Sequence, residues 1–132
     1  MNQWIQQLVT HPVVLLSLGG ALGCNARYWL GRWFKAQPWA SDYAWGTFVI
    51  NVSGSLLLGI IAALYRDRAG TGYLLWGTGF CGGFTTFSTF SLEVAEALQN
   101  GRWDIAFLYA GTSVLAGFIA FAFAFACLRG GE

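Results

Sequence analysis

The chain has 132 residues, of which 56% are hydrophobic and 10% charged, and its formal net charge is +1. An ordinary soluble domain carries about 25% charged residues, so this chain has too little polar surface to cover a soluble globule. The near-neutral balance leaves no basic footprint for nucleic acid. The composition points to one small all-α integral membrane domain covering residues 1–132.

In chain order, residues 1–10 hold Trp4 and several glutamines and read as an interfacial lead-in. The first apolar run, about 12–34, is too long for a signal peptide, follows no basic residue and has no clear small-residue cleavage site. Pro12 suits the first turn of a helix, where its missing N–H has no partner to lose. Gly19, Gly20 and Gly23 have small-xxx-small spacing, which lets a helix approach closely, either within one subunit or across a dimer. Trp29, Trp33 and Trp39 mark a membrane interface. The following loop holds Pro38, Ser41 and Asp42.

The second span covers about 45–65, with Asn51 and Ser55 four apart on one face. Arg66, Asp67 and Arg68 end it. The third covers about 73–98 and is broken near 82–87. Asn100-Gly101 is a helix-stop signal. The fourth, about 103–128, carries Tyr109, Thr112 and Ser113. Each run reaches the ~20 residues that cross a bilayer.

The break is the most informative stretch. Gly82-Gly83 favours unwinding, because glycine loses the most backbone entropy when fixed. Thr85, Thr86, Ser88 and Thr89 then alternate with Phe84, Phe87 and Phe90, and no carboxylate falls between Gly82 and Ser91. Free backbone at membrane depth is tolerated where it lines a cavity or packs on protein. The segment therefore predicts a site of hydroxyls, ring edges and carbonyls.

Charge placement predicts topology. With four spans, Arg66, Arg68 and Arg129 share one side, and Arg32, Lys35 and Arg102 share the other. The positive-inside bias is nearly zero. Either a few charges outweigh the rest by position, or the chain inserts in both orientations, which predicts an antiparallel two-fold dimer. Cys24, Cys81 and Cys127 lie in apolar runs and read as small hydrophobes. His11, alone at the start of a span, is assigned no chemistry.

Gly82-Gly83-Phe84-Thr85-Thr86-Phe87-Ser88-Thr89-Phe90-Ser91, followed by Glu93, resembles the signature of the CrcB/Fluc fluoride channels, small four-span bacterial proteins. The resemblance extends to Arg27-Tyr28, to Gly46-Thr47 and Asn51, and to Tyr109 and Ser113. It implies a dual-topology antiparallel homodimer in the bacterial inner (cytoplasmic) membrane, with two fluoride pores and a broken third helix. It implies a structural Na⁺ at the dimer centre, held by backbone carbonyls at the positions matching Gly82 and Thr85. Phe87 and Phe90 match the rings whose edges contact fluoride, and Asn51 the asparagine that hydrogen-bonds it. Tyr109 and Ser113, with motif hydroxyls such as Ser88 and Thr89, match a polar track along each pore. Two departures stand out: Phe84 replaces a usual aliphatic residue, and Gly117 interrupts a hydroxyl ladder one turn after Ser113.

The residues also carry these roles on chemistry alone. A phenylalanine ring is positive at its edge, and Phe87 and Phe90 fall on one side of a helix. An isolated pair of this kind is ordinarily core or lipid-facing. For Asn51, an anion contact and an interhelical hydrogen bond are equally good readings. Neutral donors bind an anion without trapping it. Arg27, the one cation within a span, reads as a vestibule or structural residue. Unwound carbonyls are hard donors that suit Na⁺.

Two other classes compete. A proton-coupled small-multidrug-type exporter needs a membrane-embedded carboxylate; the first span has none, and the candidates are Glu93 and Glu96 near the end of the third. A non-transporting assembly subunit would explain the glycines and leave the Phe–hydroxyl cluster unexplained.

Overall fold

The computed structural model describes residues 2–39 and 43–130, so Ser41 and Asp42 of the first loop lie outside the described residues. Every regular element among the described residues is helical. α1 is Gln3–Val9, α2 is Pro12–Lys35 and α3 is Trp45–Leu64. A π-helical segment, Tyr73–Cys81, runs directly into the single turn α4, Gly82–Phe84. α5 is Phe87–Gln99 and α6 is Trp103–Arg129.

α3 and α6 are each long and apolar enough to cross a bilayer, and α1 with α2 forms a third candidate bent by 48°. The bend has a local cause. Pro12 opens α2, and His11 caps it by accepting the Val13 N–H on Nδ1 at 3.4 Å. At the other end of the bundle, α5 stops where Gly101 adopts φ 72°. The Arg102 N–H then reaches Ala97 O at 2.9 Å and the Gly101 N–H reaches Leu98 O at 3.1 Å. That bond pair is a Schellman cap, and glycine supplies its left-handed residue.

The glycine face of α2 packs inside the chain against the π segment and α4. A Cβ on Gly83 would lie 2.6 Å from Gly20 O, and one on Gly23 would lie 2.7 Å from Phe84 N. No side chain fits in that seam. α3 and α6 meet as closely, since a Cβ on Gly59 would lie 2.6 Å from Phe121 O. Phe84 is buried, stacked on Phe80 at 5.6 Å and packed over Gly54. The larger ring at this position is accommodated by glycine on the facing helix.

The helix interruption falls two residues beyond the glycine pair. Gly82 is helical (φ −64°, ψ −37°), and Gly83 continues α4. Thr85 (φ −78°, ψ 158°) and Thr86 (φ −151°, ψ 113°) are extended. Gly83 is therefore needed for close packing on Gly20, and the unwinding is located by partners that Thr86 finds on α3.

The buried set is small, with Leu15, Phe34, Ile50, Ala62, Cys81, Phe84, Ala106, Tyr109 and Ala124 at its apolar core. Phe107, Phe118, Ile119 and Phe123 of α6 are exposed, and Trp29 and Trp33 of α2 as well. An apolar surface this continuous belongs in lipid or against protein.

Candidate functional site

Asn51 holds the interruption open. Its Oδ1 accepts the Thr86 N–H at 2.8 Å, and its Nδ2 donates to the Thr86 carbonyl at 3.1 Å. The side-chain amide thus serves both backbone groups of one unwound residue, and one Nδ2 hydrogen is left over. In a continuous helix the Thr86 N–H would bond Gly82 O. Its diversion to Asn51 leaves the Gly82 carbonyl without its helical donor.

Thr86 also starts the next helix. Its Oγ1 accepts the Thr89 N–H at 3.2 Å, as an N-cap does. The same hydroxyl donates to Thr89 Oγ1 at 3.0 Å and lies 3.3 Å from Ser88 Oγ. Ser88 and Thr89, singled out from sequence as track residues, are therefore tied to the cap of α5. Thr85 turns its hydroxyl back to Cys81 O at 2.9 Å.

A cavity of about 630 Å³ opens beside this break. Asn51, Ser55, Thr85, Phe87, Phe90 and Ser113 are among its lining residues. Phe87 and Phe90 lie with ring centroids 5.6 Å apart. Phe87 is 77% exposed, so most of its ring is uncovered by its own chain. Ser113 is only 8% exposed, yet among the described residues its Oγ has no hydrogen-bond partner. Gly82 and Thr85 line the same cavity, and a Cβ on Gly82 would meet nothing within 4 Å.

Tyr109 lines a different space. A second cavity of about 270 Å³ is bordered by Lys35, Tyr43, Thr47, Glu93, Glu96 and Tyr109, among others. Here Glu93 is a hub: Oε1 accepts from Thr47 Oγ1 at 2.8 Å and Oε2 from Tyr109 Oη at 2.7 Å. The Phe90 and Tyr109 rings meet at 5.3 Å, so this pair stands between the two cavities. Tyr43 steadies it, with its ring 5.1 Å from that of Tyr109 and its hydroxyl 2.7 Å from Thr112 Oγ1. Sequence reasoning gave Thr47 and Tyr43 no role and counted Thr86 only among the hydroxyls of the break. The available signal was the four-residue spacing of Thr47 and Asn51, which puts both on one face of α3.

Arg27 lines neither of these cavities, and its Nη2 donates to Cys24 Sγ at 3.4 Å within α2. Among the described residues no group of three or more His, Cys, Asp or Glu could hold a metal ion. Any cation bound near the break would therefore be held by backbone carbonyls and hydroxyls.

The profile of the family described as "CrcB-like protein, Camphor Resistance (CrcB)" matches residues 14–125. The chain belongs to this family. Curated CrcB relatives are similar over most of their length. "Fluoride-specific ion channel FluC 1" of Symbiobacterium thermophilum is 41% identical over 110 residues, covering 81% of this chain and 89% of the relative. "Fluoride-specific ion channel FluC" of Novosphingobium aromaticivorans is 42% identical over 119 residues, covering 87% and 94%. The protein of the same description from Gloeobacter violaceus is 44% identical over 111 residues, covering 81% and 87%. These CrcB relatives are named as channels and not as enzymes. The family match takes in both cavities and the whole interruption between α4 and α5.

Proposed function

We propose that the protein is a passive fluoride-selective channel that exports fluoride from the cytoplasm and so lowers its toxicity. The observation that carries this reading is the shared cavity of Asn51, Phe87, Phe90 and Ser113. It combines two phenylalanine rings, an amide and a buried hydroxyl without a partner among the described residues, with no Lys or Arg in its lining. Fluoride is small and strongly hydrated, and a pore must replace lost water with donors. Neutral donors supply them without a charge that would hold the ion in place. The names of the CrcB relatives point to the same ion.

The pore runs from the large cavity past the Phe90–Tyr109 pair to the smaller one. Its donors change along the way. In the large cavity the ion meets the free Nδ2 hydrogen of Asn51, Ser113 Oγ and the ring edges. At the junction it competes with Glu93 for the hydroxyl protons of Thr47 and Tyr109. The carboxylate disfavours a stationary anion there, which helps release.

The channel is a dual-topology antiparallel homodimer with two pores in the bacterial inner membrane. Four spans per chain place α2, α3, the interrupted Tyr73–Gln99 segment and α6 across the bilayer. The exposed Phe87 supports a partner at this surface. A structural Na⁺ fits the centre of such a dimer, held by carbonyls of Gly82 and Thr85. The diverted Thr86 N–H, the C-terminal end of α4 and the open space at Gly82 favour a cation there. When bound, the ion would supply positive charge to the carbonyls of Gly82 and Thr85. Neither Na⁺ nor any proton gradient drives transport. A negative interior favours anion exit by roughly 2.3 kcal/mol per 100 mV.

The test is growth of bacteria lacking their own fluoride exporter. Expression of this chain restores growth in millimolar fluoride. Failure to do so, with the protein verified in the membrane, contradicts the function.

A further inference from the structure

The large cavity that Asn51 lines also carries an unsolved hydrogen-bonding problem on α6. Ser113 Oγ is buried and unpartnered, whereas nearly all buried polar atoms in folded proteins have a partner. An orphan hydroxyl on a residue that lines a cavity marks a place where something else accepts its proton. One turn further along α6 the side chain is missing altogether, at Gly117.

Ser55 of α3 fills that gap. A Cβ on Gly117 would lie 3.3 Å from Ser55 Oγ, tighter than an ordinary contact. The hydroxyl of α3 thus occupies the space where α6 has no side chain. Ser55 lies one turn after Asn51 on the same face and lines the same cavity as Asn51, Ser113 and Gly117.

The usual fate of a membrane serine is a bond to its own helix backbone. Two neighbours follow it: Ser53 Oγ donates to Val49 O at 2.6 Å, and Thr112 Oγ1 to Leu108 O at 2.6 Å. Ser55 makes no such bond among the described residues. Its proton, like that of Ser113, is available to an acceptor in the cavity.

We infer that Ser55 is a fluoride-binding residue, its hydroxyl supplying from α3 the donor that α6 lacks at Gly117. The inference rests on the fluoride-channel reading above. It sets the order of donors along the large cavity as Asn51, then Ser113, then Ser55. A desolvated fluoride moving away from the interruption is handed from one wall to the other and meets no bare stretch at Gly117.

The test is fluoride efflux from liposomes holding the purified dimer, with wild type as reference. Ser55→Ala lowers the fluoride rate at least tenfold. Ser55→Ala combined with Gly117→Ser restores most of it, because loss of Ser55 Oγ makes room for a side chain on α6 and the new hydroxyl enters the same space. A structural role for Ser55 would not be repaired from the facing helix. Wild-type flux in Ser55→Ala overturns the inference, and so does a double variant no faster than the single one when both remain dimeric. If Ser55→Ala fails to yield dimers, Ser55→Cys keeps the side-chain size with a weaker donor. Its flux falls as well, and a wild-type rate in Ser55→Cys overturns the assignment. Absence of fluoride flux in wild type would instead defeat the channel reading itself.

Discussion

Asn51 pairs with Thr86 as one backbone segment pairs with another, accepting its N–H at 2.8 Å and donating to its carbonyl at 3.1 Å. The interruption of the third apolar segment is thus written partly on α3, in a single side chain.

Asn51→Ala removes both partners at once. Each unpaired buried backbone group costs about 1–3 kcal/mol, so the purified protein melts several degrees lower in detergent and fluoride flux is lost. An unchanged melting temperature would mean that Thr86 keeps its extended conformation without Asn51.

On the proposed channel reading, the phenylalanines are needed for conduction and dispensable for assembly. Phe87→Ile and Phe90→Ile keep apolar bulk but lose the positive ring edge. Both impair fluoride flux at least tenfold while size-exclusion chromatography still reports a dimer. Wild-type flux in both variants would remove the ring edges from the pore.

Glu93 accepts from Thr47 and Tyr109, and on the proposed channel reading it organises these donors and carries no coupled proton. Glu93→Gln with Glu96→Gln retains measurable fluoride flux, within about tenfold of wild type, and a pH gradient imposed across the liposome leaves the rate unchanged. Loss of flux together with gradient dependence in the parent protein would favour exchange coupled to protons.

The α2 seam tolerates no side chain. Gly23→Ala would press a methyl against the backbone at Phe80 and Phe84. Overpacking of this kind costs about 1–3 kcal/mol or more, read as a lower melting temperature and less dimer. Gly111→Ala is the control: nothing lies within 4 Å of its Cβ position. Alanine there adds helix propensity, up to about 1 kcal/mol.

Local signals gave the local features. Asn100-Gly101 announced a helix stop, and the Schellman bonds at Ala97 and Leu98 follow from it. Pro12 marked the first turn of α2. Gly82-Gly83 was informative in another way than expected, because its lack of side chains serves contact with α2 while Thr85 and Thr86 unwind. That distinction depends on Asn51, which is 35 residues away in sequence. Glu93 shows the same limit: from sequence it stood only beside the motif and as a carboxylate for the competing exporter, whereas its partners Thr47 and Tyr109 come from two other helices. The family resemblance implied that Ser88 and Thr89 are pore hydroxyls, and the cap of α5 engages both through Thr86. Residue types and spacing identify which groups are polar at membrane depth. Which of them spend their protons on backbone is decided by helix packing.

The most direct test of the central claim is passive fluoride release from liposomes loaded with potassium fluoride and holding the purified protein. Valinomycin lets potassium follow the anion, and a fluoride electrode records efflux, with chloride-loaded liposomes run in parallel. The account predicts rapid fluoride release and little chloride release. No fluoride release from verified dimers, or equal release of both anions, would contradict it.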